Sequence, residues 1–159
     1  MKLSTTSEAQ IRHQQLLSQI MRPTTLSLLE TVKVKEGSSA LILNCGAGDM
    51  AFLIAGLVGE NGNVTGIDLN GENVHTAQQL AIIKKIGNVT FYEREQFQSQ
   101  AKKHFGLVYG CLQPDRLIEP DSLTEQMCGS LQLSDQVLFE AIDFSGFNST
   151  PKNLAFERF

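Results

Sequence analysis

Apolar residues recur at helical spacing near the start of the chain. Further on they gather into short unbroken runs, and the two patterns alternate. Ile11, Leu16, Leu17 and Ile20 fall near a 3.6-residue period, so Ser7–Met21 reads as a helix. Pro23 is expected to break it, with a second helix over Thr24–Val34 carrying Leu26, Leu28, Leu29 and Val32. Glu36-Gly37-Ser38 turns the chain into a first strand, Ser39–Leu43. Gly48–Val58 is apolar nearly all round and reads as a buried helix, closed by Gly59. Asn61-Gly62-Asn63 leads into a second strand, Val64–Asp68. Gly71–Lys85 reads as the next helix, with Asn70 as its N-cap and Gly87 at its end. A third strand covers Val89–Tyr92, a partly helical polar stretch Glu93–Lys103, and a fourth strand Phe105–Tyr109. Pro114 and Pro120 fence an irregular stretch. A weak helix over Ser122–Leu133, a fifth strand over Val137–Phe144 and a loop-like tail complete the chain.

Strands alternating with helices argue for an α/β domain, a Rossmann-like, mostly parallel sheet of about five strands with helices on both faces. The chain reads as one domain: a helical segment over 1–35, a core over 36–145 and a tail over 146–159. Right-handed crossovers bring the strand C-termini to one edge, where ligands bind in open α/β sheets. Asn44, Asp68, Glu95 and Cys111 are expected at or just after those ends.

The most informative stretch is Ala40-Leu-Ile-Leu-Asn-Cys-Gly-Ala-Gly48, answered by Asp68 at the end of the next apolar run. A Gly-rich turn lets backbone approach a ligand with no Cβ in the way. The helix after it presents unpaired N–H groups to an anionic or polar group. A carboxylate at the end of the second strand can accept hydrogen bonds from a ribose diol. Together these features suit the adenosine half of a cofactor.

Leu41–Gly48, Val58–Asp68 and Asn88–Phe91, and the run Asp143–Pro151, resemble the corresponding segments of class I S-adenosylmethionine-dependent methyltransferases. The resemblance extends from about Leu26 to Pro151 and implies roles by position. Asn44, Cys45, Gly46, Ala47 and Gly48 would line the methionine and ribose side of S-adenosylmethionine. Asp68 would hold the ribose hydroxyls, with Leu69 beside the adenine and Glu95 and Gln96 facing its amino group. Tyr109, Gly110 and Cys111 would flank the methyl group and the methionine moiety. The chain departs from the family pattern at Ile42, where an acid is usual, at Asn44, where Gly is usual, and at Gly106, often Asp. The family fold also usually adds two further strands beside the fifth. Without them the run Val137, Leu138, Phe139 and Ile142 would form an apolar edge, for which the two readings are cover by a second copy of the chain and a degenerate or truncated gene product.

Composition narrows the picture. With 159 residues, 42% hydrophobic and 19% charged, the chain suits a single globular domain. A net charge of −4 weighs against nucleic acid as partner, and no apolar run suits a membrane span, which points to a cytoplasmic protein. Cys45, Cys111 and Cys128 form no Cys-x-x-Cys, and His13, His75 and His104 have no ligand spacing, so no metal site is expected. No residue stands out as a general base. The leading reading is methyl transfer from S-adenosylmethionine to an unidentified acceptor. A second is a non-catalytic cofactor-binding or interaction protein on the same fold. A third is a nicotinamide oxidoreductase, because Gly46-Ala-Gly48-Asp-Met-Ala51 also satisfies the dinucleotide pattern, although no Tyr-x-x-x-Lys accompanies it.

Overall fold

The computed structural model describes residues 5–98, 104–112 and 131–141. Helix α1 (Thr5–Val32) leads into β1 (Ser39–Leu43), α2 (Asp49–Val58), β2 (Asn63–Asp68), α3 (Gly71–Lys84), β3 (Val89–Glu93) and α4 (Arg94–Gln98). Strands β4 (Leu107–Leu112) and β5 (Gln136–Ala141) follow. All five strands run parallel in the order β3-β2-β1-β4-β5. The chain therefore winds outward from β1 to β3, then restarts on the other side of β1. Strand order reverses between β1 and β4, which is where such sheets open a ligand crevice.

Two cores explain why these segments become strands. On one face Ala40, Ile42, Val64, Leu107 and Tyr109 pack under Leu29 of α1, Ala51, Ile54 and Val58 of α2, and Ala77 of α3. On the other, Leu41, Leu43, Ile67 and Val108 pack with Phe97 of α4 and Phe105. Strands buried on both sides read as unbroken apolar runs rather than alternating ones, as the sequence does at Ala40–Leu43.

Several boundaries differ from expectation, each for a physical reason. Pro23 does not divide α1, which runs unbroken for 28 residues. An interior proline costs about 3 kcal/mol. The turn after it is anchored, with Thr25 and Leu29 buried against the sheet and the Thr25 hydroxyl donating to Glu140 of β5 at 2.6 Å. The helix ends at Val32, because Lys33 adopts a φ of 49°. At the end of α3, Lys85 rather than Gly87 takes the left-handed cap position, at φ 57°. Gly59 caps α2 and Asn70 caps α3 as the sequence suggests. Strand β4 starts two residues later than expected and continues through Leu112, so Cys111 lies within it. Residues 142–144, most of the expected Ser122–Leu133 helix and the tail lie outside the described residues, and Leu131–Leu133 are not helical.

Among the described residues β5 is one of the two outer strands of the sheet, with Val137 and Phe139 each 43% exposed. A polar staple holds the entry to it. The Gln132 N–H donates to Asp135, and His104 Nε2 lies 2.9 Å from Asp135 Oδ2. The Gln132 bond, with His104 adding to it, holds the Asp135 carboxyl below the usual carboxylate range. A carboxyl lowered by folding stabilises the native state fully above its unfolded value of about 3.9. That contribution fades as pH falls through the lower folded value. Urea midpoints of the wild type and Asp135→Asn are expected to differ at pH 6 and to converge in strong acid. A constant difference at all pH values would contradict this linkage.

Candidate functional site

The turn after β1 takes its shape from three left-handed residues, Asn44 at φ 50°, Gly46 at 54° and Gly48 at 93°. Asparagine tolerates that region better than most side chains, which is how it stands at a position where glycine is usual. Two backbone bonds fix the turn: Cys45 N–H to the Ile67 carbonyl, and Gly48 N–H to the Cys45 carbonyl, both 2.9 Å.

Asp68 joins this turn to the end of β2. Its Oδ2 accepts from the Gly46 N–H at 2.9 Å. Its Oδ1 accepts from the Asn70 N–H at 2.8 Å and from Asn73 Nδ2 at 3.2 Å. The carboxylate is only 4% exposed, and three of its roughly four lone-pair positions are engaged. Its neighbour Leu69 is the reverse, an apolar side chain 56% exposed on the lip of the crevice. Asn70 accepts from the Glu72 N–H and so opens α3. The α2 N-terminus, by contrast, has no side-chain cap and leaves first-turn N–H groups for another acceptor.

Glycine serves packing here as much as approach. A Cβ on Gly48 would stand 2.9 Å from the Phe52 ring and 3.0 Å from that of Phe91. One on Gly66 would meet the Phe91 ring at 2.5 Å. Phe91 thus fills the space beneath the turn, edge-on to Phe52, with Lys84 Nζ 5.7 Å from the Phe52 ring centre. Cys45 is buried beside Asp68. Burial first, then the Asp68 charge, pushes its thiol pKa far up, so it stands as a neutral thiol and not a nucleophile.

Two carboxylates escaped the sequence reading. Asp49 opens α2, and burial raises its carboxyl while Lys84 and Arg22 oppose that shift. Its place directly after Gly48 was the available signal. Glu93 ends β3 in register with Asp68, and its Oε1 would lie 2.9 Å from a Cβ on Gly71. No sequence signal separates it from its charged neighbours; register alone does.

The structure gathers the expected residues unevenly. Asn44 to Gly48, Asp68 and Leu69 form one corner. Glu95 and Gln96 are exposed on α4, directly after β3. On the other side of β1, Gly110 pairs with Leu43. Gly110 lacks a side chain where Phe139 crosses, since a Cβ would stand 2.6 Å from that ring. Tyr109 is 1% exposed, and its hydroxyl donates to Glu140 at 2.6 Å, so its ring belongs to the core rather than to the crevice wall. Among the described residues no cluster of His, Cys, Asp and Glu suits a metal ion, and no helix is long and apolar enough to cross a membrane.

A parallel sheet with a reversal beside β1, a glycine turn after that strand and a carboxylate tied to it after β2 defines a Rossmann-like nucleoside-binding class. Known proteins then specify the family. A methyltransferase-domain model matches residues 35–145. This chain belongs to that family, the class I S-adenosylmethionine-dependent methyltransferases. The cofactor of this class is S-adenosylmethionine. A SAM-dependent methyltransferase from Aquifex aeolicus superposes with a TM-score of 0.60 at 20% identity, over 77% of this chain and 66% of that one. A protein-L-isoaspartate O-methyltransferase gives 0.61 at 19% identity, over 75% of this chain and 36% of that one. A probable cobalt-precorrin-6B C(15)-methyltransferase of Thermoplasma acidophilum is 39% identical over 44 residues, 28% of this chain. Those residues span 22% of that relative's length.

Proposed function

We propose that the chain binds S-adenosylmethionine across the C-terminal edge of β1 to β4 and transfers its methyl group directly to an acceptor. The hydrogen bond between Gly46 and Asp68 carries this reading, because it fixes the glycine turn beside the carboxylate in one corner. The residues fit the cofactor. Asp68 has a lone-pair position left for a ribose hydroxyl. Leu69 offers an exposed apolar surface to an adenine face, and Glu95 and Gln96 lie one strand further out. The uncapped α2 N-terminus suits a carboxylate.

When bound, the cofactor supplies a sulfonium methyl open to in-line displacement, so the protein contributes chiefly position. The net charge of −4 favours a small molecule or a protein over nucleic acid as acceptor.

Calorimetry with S-adenosylhomocysteine and NAD tests the reading. Saturable binding of the first and none of the second is expected, and the reverse order would overturn it. The exposed Val137 and Phe139 keep pairing of two copies along β5 within this proposal. Sedimentation equilibrium at micromolar concentration is expected to give a dimer, and a monomer would remove that part alone.

A further inference from the structure

Two carboxylates are buried among the described residues, Asp68 and Glu140, and they are satisfied very differently. Both oxygens of Asp68 carry N–H donors. Glu140, 6% exposed, receives its donors on one oxygen only. The Tyr109 hydroxyl and the Thr25 hydroxyl each lie 2.6 Å from Oε2. Oε1 has no hydrogen-bond partner among the described residues, and none of their Lys or Arg side chains forms an ion pair with it. Burying a charged oxygen without a partner costs several kcal/mol, and such groups persist where a cation or donor arrives to meet them.

The position of Glu140 points to that partner. It lies one residue before the end of β5, in register with Cys111 on β4, at the C-terminal edge of the sheet one strand beyond β4. Its face of the sheet is the one covered by α1 and α2, and there β1 presents only Ala40 and Ile42, both apolar and buried. We infer that Glu140 Oε1 binds the ammonium group of the cofactor's methionine end, with Tyr109 and Thr25 holding the carboxylate in place through Oε2. The inference rests on the cofactor reading above. It assigns the amino end to β5, although the Gly-rich turn follows β1.

The test compares S-adenosylhomocysteine with its deaminated analogue, which keeps the adenosyl group and the carboxylate. The wild type is expected to prefer the amino ligand by about ten- to a hundredfold, the range for a hydrogen bond to a charged group. In Glu140→Gln that preference should shrink to nearly one while the analogue binds as before. Glu140→Met replaces the Gln variant if that one does not fold. An unchanged preference in the variant would overturn the inference and leave the cofactor reading intact. Equal weakening of both ligands would reduce Glu140 to a structural tie and overturn it too. If neither ligand binds the wild type, the cofactor reading itself fails.

Discussion

Asp68→Ala is expected to lower both stability and cofactor affinity, and to do so through the same atoms. Removing the carboxylate strands the Gly46 N–H, the Asn70 N–H and the Asn73 amide at once. Bonds to a charged acceptor contribute roughly 1.5–3 kcal/mol each, and water can reach part of the vacated corner, so the net loss is about 2–4 kcal/mol. For a chain of this length that lowers the melting temperature by roughly 5–15 °C. S-adenosylhomocysteine should weaken by about ten- to a hundredfold beyond the loss of stability, since a ribose hydroxyl loses its acceptor as well. Asp68→Asn separates the two parts. Its amide oxygen can still serve Asn70 and Asn73, while its NH2 group faces the Gly46 N–H and releases the turn. The Asn variant should therefore melt closer to wild type yet bind almost as poorly as the Ala variant. If both variants melted normally and bound normally, Asp68 would have neither role.

Gly66→Ala should destabilise the domain although it adds one methyl group to a strand residue with ordinary backbone angles. That methyl would stand 2.5 Å from the Phe91 ring and 3.1 Å from the Cys45 Cβ. Overpacking a filled core costs about 1–3 kcal/mol. Phe91 cannot retreat freely, because its ring also lies against Gly48 and Phe52. The strain should therefore pass into the glycine turn and weaken cofactor binding without touching a binding group. Phe91→Leu, made in the Gly66→Ala background, should recover part of the lost stability, and a double-mutant cycle measures that coupling. Strict additivity of the two substitutions would show that the ring and the glycine do not share one space.

Much of the fold was legible in the sequence because the sheet is buried on both sides. Ala40–Leu43 is apolar without interruption, Val64 and Ile67 flank a buried Thr65 and Gly66, and periodicity plus a glycine or asparagine nearby places the elements around them. Pro23 misled because local propensity speaks against a helix there, while the burial of Thr25 and Leu29 outweighs it. The end of α3 misled for a similar reason: glycine is the usual left-handed cap, yet Lys85 takes that conformation. At the site, the glycine turn and Asp68 could be read from spacing alone. What spacing could not show is that Gly46 and Asp68 bond directly, or that Gly48 and Gly66 make room for an aromatic ring. Tyr109 and Glu140 were out of reach for a plainer reason. They lie on different strands, and their contact exists only once β4 and β5 pair.

On the proposed reading one crevice, at the C-terminal edge of β1 to β4, receives the adenosyl cofactor. Amide chemical shifts followed during titration with S-adenosylhomocysteine would locate it. The largest changes are expected at residues 44–48, at Asp68 to Asn70 and at Glu95 and Gln96, with smaller ones along Gly110 and Cys111. Saturable changes confined to the opposite ends of the strands, or none at all at millimolar ligand, would contradict it.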